Sequence, residues 1–270
     1  MAIVNRTPDS FYDKGRTFGL AAALERVDQV VEEGAHIVDI GGVKAAPGEE
    51  VAADEEAARV LPVVEAVRSR YPSLVISVDT FRASVAEQVL AAGADIVNDA
   101  WECPEPETYD VAAAFGAGVV CTHAGHLPPR TRPHRVSYPD VVSDVVTTLT
   151  GMASRAVAAG VPRESVLIDP GHDFGKNTRQ SLQLTDRTVD LVSTGWPVLM
   201  ALSRKDFIGE VLDQLPDERL EGTLAATAVC AFQGARVFRA HDVAATVRVL
   251  RTVDAIRGRT APLVNVRGLA

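Results

Sequence analysis

Glu32–Val38 (EEGAHIV) and Ala91–Val97 (AAGADIV) repeat one join, and that join decides the fold. In each, an amphipathic run ends at a glycine and an aliphatic run begins just beyond it. A glycine there can take the left-handed conformation that ends a helix, so each segment reads as helix, cap, strand. Gly160, Gly195 and Gly234 stand at the same point ahead of later aliphatic runs. Working outward from these joins, eight short aliphatic runs can be marked: Ala2–Asn5, His36–Gly41, Leu74–Asp79, Asp95–Asn98, Gly118–His123, Val166–Asp169, Val198–Leu202 and Val237–Arg239. Between them lie stretches of helical length and periodicity, among them Ala21–Glu33, Ala53–Arg70, Ala83–Ala92, Asp140–Ala159 and Val243–Arg257. Strand and helix alternating in eight units predict an α/β chain closed into a (β/α)₈ TIM barrel.

The chain has 270 residues, and with no proline- or serine-rich linker it reads as one domain over 1–270. Aromatics are only 5 % while alanine and valine abound, which suits parallel strands buried on both faces. A net charge of −9 argues against a nucleic-acid or anionic-membrane partner. Cys103, Cys121 and Cys230 are scattered with no CxxC pair, so a zinc knuckle or disulfide framework is not expected. No signal-peptide pattern opens the chain and no apolar run has membrane-spanning length, so the expected setting is the cytoplasm. Residues 124–139 (AGHLPPRTRPHRVSYP) form the longest irregular stretch and read as a loop over the site.

Barrel enzymes take their reacting groups from the C-terminal strand ends. Here those ends are polar in succession: Asn5, Asp39, Asp79, Asn98, His123, Asp169, Ser203 with Arg204 and Lys205, and Arg239 with His241. Polar residues also mark where strands meet solvent, but Ser, Thr or Gly would serve that purpose equally. Asp79, Asn98 and Asp169 offer acceptors and amide donors suited to a flat, nitrogen-rich heterocycle, since a carboxylate can take two donors from a guanidine-like edge. Lys205, Arg239 and His241 bring positive charge to the last two strands, where this fold often holds phosphate. The two halves together suit a nitrogen heterocycle carrying a phosphate or pyrophosphate.

Seven segments carry a resemblance. They are Ile3–Gly15 (IVNRTPDSFYDKG), Val38–Gly42 (VDIGG), Ser77–Arg82 (SVDTFR), Ile96–Asp99 (IVND), Ile168–Asn177 (IDPGHDFGKN), Leu202–Gly209 (LSRKDFIG) and Arg239–Val243 (RAHDV). In this order the chain resembles dihydropteroate synthase, the family that joins p-aminobenzoate to 6-hydroxymethyl-7,8-dihydropterin pyrophosphate. The resemblance implies that Asp79, Asn98, Asp169 and Lys205 line a pterin pocket with Asp39 beside it. It implies that Asn5, Arg239 and His241 hold pyrophosphate, Asn5 acting with Mg²⁺. It also implies a homodimer packed through the outer helices of the last units, where Leu220–Phe232 is rich in small and apolar residues. In such a reaction the C–O bond to pyrophosphate breaks early, so Lys205, Arg239 and His241 act by stabilising the leaving group.

The pattern breaks in the loops. After Gly41–Gly42 the family usually carries Glu-Ser-Ser/Thr-Arg-Pro-Gly, whereas this chain has Val43-Lys44-Ala45-Ala46-Pro47-Gly48. The phosphate-contacting arginine and the hydroxyl beside the aminobenzoate pocket are gone, and Lys44 supplies charge without a bidentate fork. Arg6, Tyr12 and Lys14 depart from the first-loop pattern, His172-Asp173 replaces Phe-Gly or Met-Gly, and Thr122-His123 replaces Met-His. Arg6, Lys14 and Lys44 read either as solvated loop charges or as a new anion clamp. His172 reads as a packed, hydrogen-bonded histidine, and Asp173 as a carboxylate close enough to Asp169 to raise one pKa of the pair. Three functional readings remain open: a dihydropteroate synthase, a diverged second copy with little or no synthase activity that binds a pterin-like or other phosphorylated ligand, and a non-catalytic pterin binder. The pterin-binding domain of methyltransferases, which shares the barrel, is less favoured by Thr7–Phe11 and Ser203–Lys205.

Overall fold

The computed structural model describes residues 1–6, 19–44, 48, 50–130 and 136–268. All eight aliphatic runs are strands: β1 (Ala2–Asn5), β2 (Ile37–Gly41), β3 (Val75–Asp79), β4 (Ile96–Asp99), β5 (Gly118–Thr122), β6 (Val166–Asp169), β7 (Leu199–Met200) and β8 (Val237–Phe238). The helices are α1 (Leu20–Glu32), α2 (Ala53–Arg70), α3 (Ala83–Ala91), α4 (Glu107–Ala114), α5 (Val141–Ala158), α6 (Thr178–Asp186), α7 (Thr188–Val192), α8 (Asp206–Leu212), α9 (Leu220–Gln233) and α10 (Val243–Ile256). Gly34 and Gly93, which anchor the two repeated joins, have φ of +95° and +107°, a conformation that disfavours any side chain.

β1 to β6 form a parallel sheet in sequence order, and β7 pairs with β8. Single parallel bridges, Ile168 with Val198 and Ala2 with Ala240, tie that pair to both ends of the sheet. The ring therefore closes, as a (β/α)₈ barrel must. β7 and β8 are shorter than their aliphatic runs because only this bridge-level pairing holds their neighbours.

Side chains alternate along a strand, and here the alternation separates two kinds of core. Val38, Ile40, Ile76 and Val78 point outward and pack with Val27, Val60 and Val64 of α1 and α2. Val119, Cys121, Val166 and Ile168 do the same against α4 and α5. The intervening residues Ile96, Val120, Leu167, Leu199 and Val237 fill the barrel interior with Met1 and Ala201. Continuing that inward set toward the C-terminal strand ends gives Asn5, Asp39, Ser77, Asp79, Asn98, Asp169 and Arg239. The apolar plug thus ends where the polar residues begin, and it carries them as a floor.

Candidate functional site

Register places four floor positions at one height: Asn5 pairs with Gly41, Gly41 with Asp79, and Asp79 with Asn98. Gly41 keeps the middle of this row open, since a Cβ there would lie 4.0 Å from Asn5 Oδ1 and 3.6 Å from Asp79 Cβ. Two residues deeper on β2, the fully buried Asp39 gathers the floor together. It accepts from Ser77 Oγ at 2.6 Å, from Asn98 Nδ2 at 3.2 Å to each oxygen, and from Arg239 Nε at 2.6 Å. Arg239 Nη2 also reaches Asp79 Oδ2 at 3.3 Å. A buried carboxylate needs such partners, because desolvation of an unpaired charge is costly.

Asp79 is pushed up to about 7, chiefly by burial, with Arg239 opposing and Asp39 adding to the rise. Across the barrel, Asp169 accepts Gly171 N–H at 2.8 Å and is raised by burial, with Lys205 opposing. Lys205 is lowered by burial, and Asp169 and Asp173 oppose the fall. Its ammonium bonds the His172 carbonyl and lies 4.8 Å from the centre of the Phe174 ring. Phe174 meets Trp101 edge-on at 5.2 Å, so an aromatic wall stands beside the carboxylates. Trp101 also faces Asp79, Lys44 and Phe81 around a small cavity.

The structure therefore brings Asp39, Asp79, Asn98 and Arg239 into one bonded cluster, with Asn5 in the same row and Asp169 and Lys205 facing each other. His241 stands apart from that cluster. Its N–H donates to Ser203 Oγ at 3.1 Å, and it lines a cleft of about 740 Å³ between α1 and α10 with Arg26 and Arg248. Burial, with help from Arg239, Arg26 and Arg204, pushes its imidazole down to about 3, so it is neutral at ordinary pH.

Several sequence expectations change. Arg6 is no solvated charge: it is buried, with Nε on the Arg59 carbonyl at 2.9 Å. Arg204, though at a strand end, is spent on structure, pairing with Asp242 at 2.8 and 2.9 Å. Asp173 is raised, but burial leads and the acid that adds to it is Asp206, not Asp169. Its carboxylate accepts the N–H of Asp206 at 2.7 Å and of Phe207 at 3.3 Å, which caps the start of α8. His172 is fully buried with Nε2 3.0 Å from Thr185 Oγ1, as a packed histidine. Lys44 is partly buried beside Asp79. Tyr12, Lys14, Ala45 and Ala46 lie outside the described residues.

Two residues escaped the sequence reading. Ser77 was inside the quoted SVDTFR segment, and its place two before Asp79 on an inward face was the available signal. Lys176 was inside IDPGHDFGKN, yet nothing in that string marks it as buried. It donates to the carbonyls of Phe174, Gly171 and His123 at 2.8, 3.0 and 3.2 Å, stapling the turns after β5 and β6.

Comparison with known proteins sets this geometry in context. Residues 1–241 match the family model described as pterin binding enzyme. The whole chain aligns with a Mycobacterium tuberculosis protein named inactive dihydropteroate synthase 2, at 58 % identity over 86 % of that protein. It also resembles the crystal structure of Yersinia pestis dihydropteroate synthase with a sulfonamide drug complex: TM-score 0.90 and 36 % identity, over 96 % of this chain and 93 % of that one. A Xanthomonas albilineans dihydropteroate synthase in complex with 7,8-dihydropteroate aligns at TM-score 0.82 and 39 % identity, over 95 % of this chain and 92 % of that one.

Proposed function

This chain belongs to the pterin-binding enzyme family, and from that premise we propose that it is a diverged dihydropteroate synthase paralogue that binds the pterin pyrophosphate but turns it over slowly or not at all. One contrast carries the reading. The floor is assembled, with Asp39 holding Asn98 and Arg239 in place, while the second loop reads Val43-Lys44-Ala45-Ala46 where active synthases usually carry an arginine. The name of the M. tuberculosis relative agrees with that contrast.

In this reading Asp79 and Asn98 receive the pterin's nitrogen edge, Asp169 and Lys205 close its far side, and Trp101 and Phe174 give its faces an apolar wall. Arg239 stabilises the departing pyrophosphate, and His241 offers a neutral donor only where the pyrophosphate extends into the cleft between α1 and α10. Asn5 fits a hard cation, because its amide oxygen opens into the same row as Asp79. When bound there, Mg²⁺ would be completed by pyrophosphate oxygens and water and would offset leaving-group charge. Losing one charge-assisted phosphate contact costs about 1.5–3 kcal/mol, or roughly ten- to a hundredfold in binding, which is enough to impair the enzyme.

The same reading makes the protein a cytoplasmic homodimer. Val189, Val211, Val229, Phe232 and Ile256, on α7 to α10, are each at least 45 % exposed and give one side of the barrel an apolar face. The three cysteines are buried and free, as suits a reducing compartment. No helix among the described residues is long and apolar enough to cross a membrane.

Calorimetry with 6-hydroxymethyl-7,8-dihydropterin pyrophosphate and Mg²⁺, run beside a p-aminobenzoate turnover assay, tests the proposal. Binding without comparable turnover is expected. Full synthase rates, or no binding of the pterin pyrophosphate, would overturn it.

A further inference from the structure

We propose a second metal site, for a late first-row divalent cation such as Zn²⁺, formed by His123, His126 and Asp144 at the mouth of the fifth strand unit. His123 follows β5 and is fully buried, and Asp144 lies in the first turn of α5. His123 Nε2 is 2.8 Å from Asp144 Oδ1, and His126 Nε2 is 3.9 Å from the same oxygen. One donor atom from each of the three residues lies within 4.8 Å of the others. Metal–ligand bonds of about 2.0–2.2 Å put tetrahedral ligands roughly 3.3–3.5 Å apart. His126, 63 % exposed, has the freedom to move in, and Asp144, 32 % exposed, has the freedom to draw back from His123 and open their 2.8 Å contact.

The surrounding contacts are those that orient ligands. A metal-binding histidine commonly gives its other ring nitrogen to a carboxylate, which fixes the ring and its tautomer. Glu102 Oε2 sits 3.0 Å from His126 Nδ1 and leaves Nε2 facing Asp144. Glu102 is itself anchored, its Oε1 accepting the N–H of Ala124 at 2.6 Å and of Gly125 at 2.7 Å. His123 Nδ1 is held by Lys176 Nζ at 2.8 Å. His126 keeps a left-handed backbone at φ +57° without being glycine, a strained conformation that persists only where its surroundings enforce it.

Two imidazoles and one carboxylate select Zn²⁺ and its neighbours over Mg²⁺, which prefers oxygen alone. The site is thus chemically distinct from the hard-cation position at Asn5. Coordination displaces the proton on His123 Nε2 to solvent, and one proton then remains shared between Nδ1 and Lys176. Three protein ligands on a partly open site leave a fourth position for water. The bound ion would join the turn after β5 to α5.

Chelator-treated protein can be titrated with Zn²⁺ against a chromophoric chelator, in the parent, His126→Ala and Asp144→Asn, with circular dichroism on each. One equivalent bound by the parent is expected, with affinity lowered about tenfold or more in each variant. Millimolar Mg²⁺ should not compete, and Co²⁺ should give the visible absorption of a near-tetrahedral complex. His126 is exposed, so its alanine variant should keep the fold. Absence of stoichiometric Zn²⁺ binding in the parent, or unchanged affinity in both variants, would overturn the site.

Discussion

Arg239 Nε donates to Asp39 Oδ2 at 2.6 Å, across a chain separation of 200 residues. That bond joins the end of β8 to β2 inside the barrel, and it fixes a cation on the polar floor. Breaking a buried pair by removing one partner costs about 3–5 kcal/mol, because the other charge is left uncompensated. Asp39→Asn should therefore lower the unfolding free energy obtained from urea titration by that order, with a matching fall in midpoint. A midpoint within experimental error of the parent would mean that Asp79 alone satisfies Arg239.

The carboxyl of Asp79 gives a pH signature. Burial lifts it to about 7, above an unfolded value of about 3.9. The folded state then holds a proton that the unfolded state lacks between roughly pH 4 and 7. Stability from this group is complete below about pH 4 and declines as pH rises toward 7. Ligand binding runs the opposite way, because only the carboxylate accepts two donors. Pterin pyrophosphate affinity should rise about tenfold from pH 6 to pH 8, following the ionised fraction. Asp79→Asn should bind weakly with that rise removed. His241, pushed down to about 3, stays neutral throughout and cannot supply the profile. Equal slopes in parent and variant would assign the effect to another group.

Rewriting the second loop should restore chemistry. The fourfold change Val43→Glu, Lys44→Ser, Ala45→Thr and Ala46→Arg returns an arginine fork and a hydroxyl to the second-loop sequence. Turnover with p-aminobenzoate should rise ten- to a hundredfold, from about 1.5–3 kcal/mol of charge-assisted contact. An unchanged rate would move the defect to the first loop, where Arg6 is buried against α2, or to His172-Asp173.

Association can be probed at Phe232, which is 52 % exposed on α9 with the Arg257 guanidinium 4.9 Å from its ring centre. Phe232→Lys would place a second cation beside Arg257 in an apolar face, and a buried unpaired charge is strongly unfavourable. Light scattering at several concentrations should show a dimer for the parent and a monomer for the variant. Identical masses would remove this face from consideration.

The barrel was legible because its signal is repeated: an aliphatic run recurs in every unit and a glycine join precedes β2, β4, β6, β7 and β8, so small boundary errors do not accumulate. β7 and β8 came out shorter than their runs because strand extent depends on partners, which a single segment does not encode. The inward residues were legible as types but not as bonds. Asp39 could be placed near the site, yet its role as common acceptor depends on Ser77, Asn98 and Arg239 arriving from three other strands. Lys176 was not singled out and Asp173 was paired with Asp169, not Asp206, because a charged residue in a glycine-rich turn does not show in sequence which carbonyls, N–H groups or acids it meets. His126 and Asp144 lie 18 residues apart, and only the turn after β5 and the start of α5 bring them together.

The row of Asn5, Gly41, Asp79 and Asn98 is set by strand register, whereas the sequence departure after Gly42 falls outside that row. In the proposed function, recognition rests on that row and turnover on the second loop, so the two would be separable properties of one chain. Compounds that compete for the row alone would be sequestered by this protein as readily as by an active synthase. Compounds that need the second loop would pass it by. A cell holding both proteins would require more of the first kind of inhibitor than its active enzyme accounts for, in proportion to the abundance of this one.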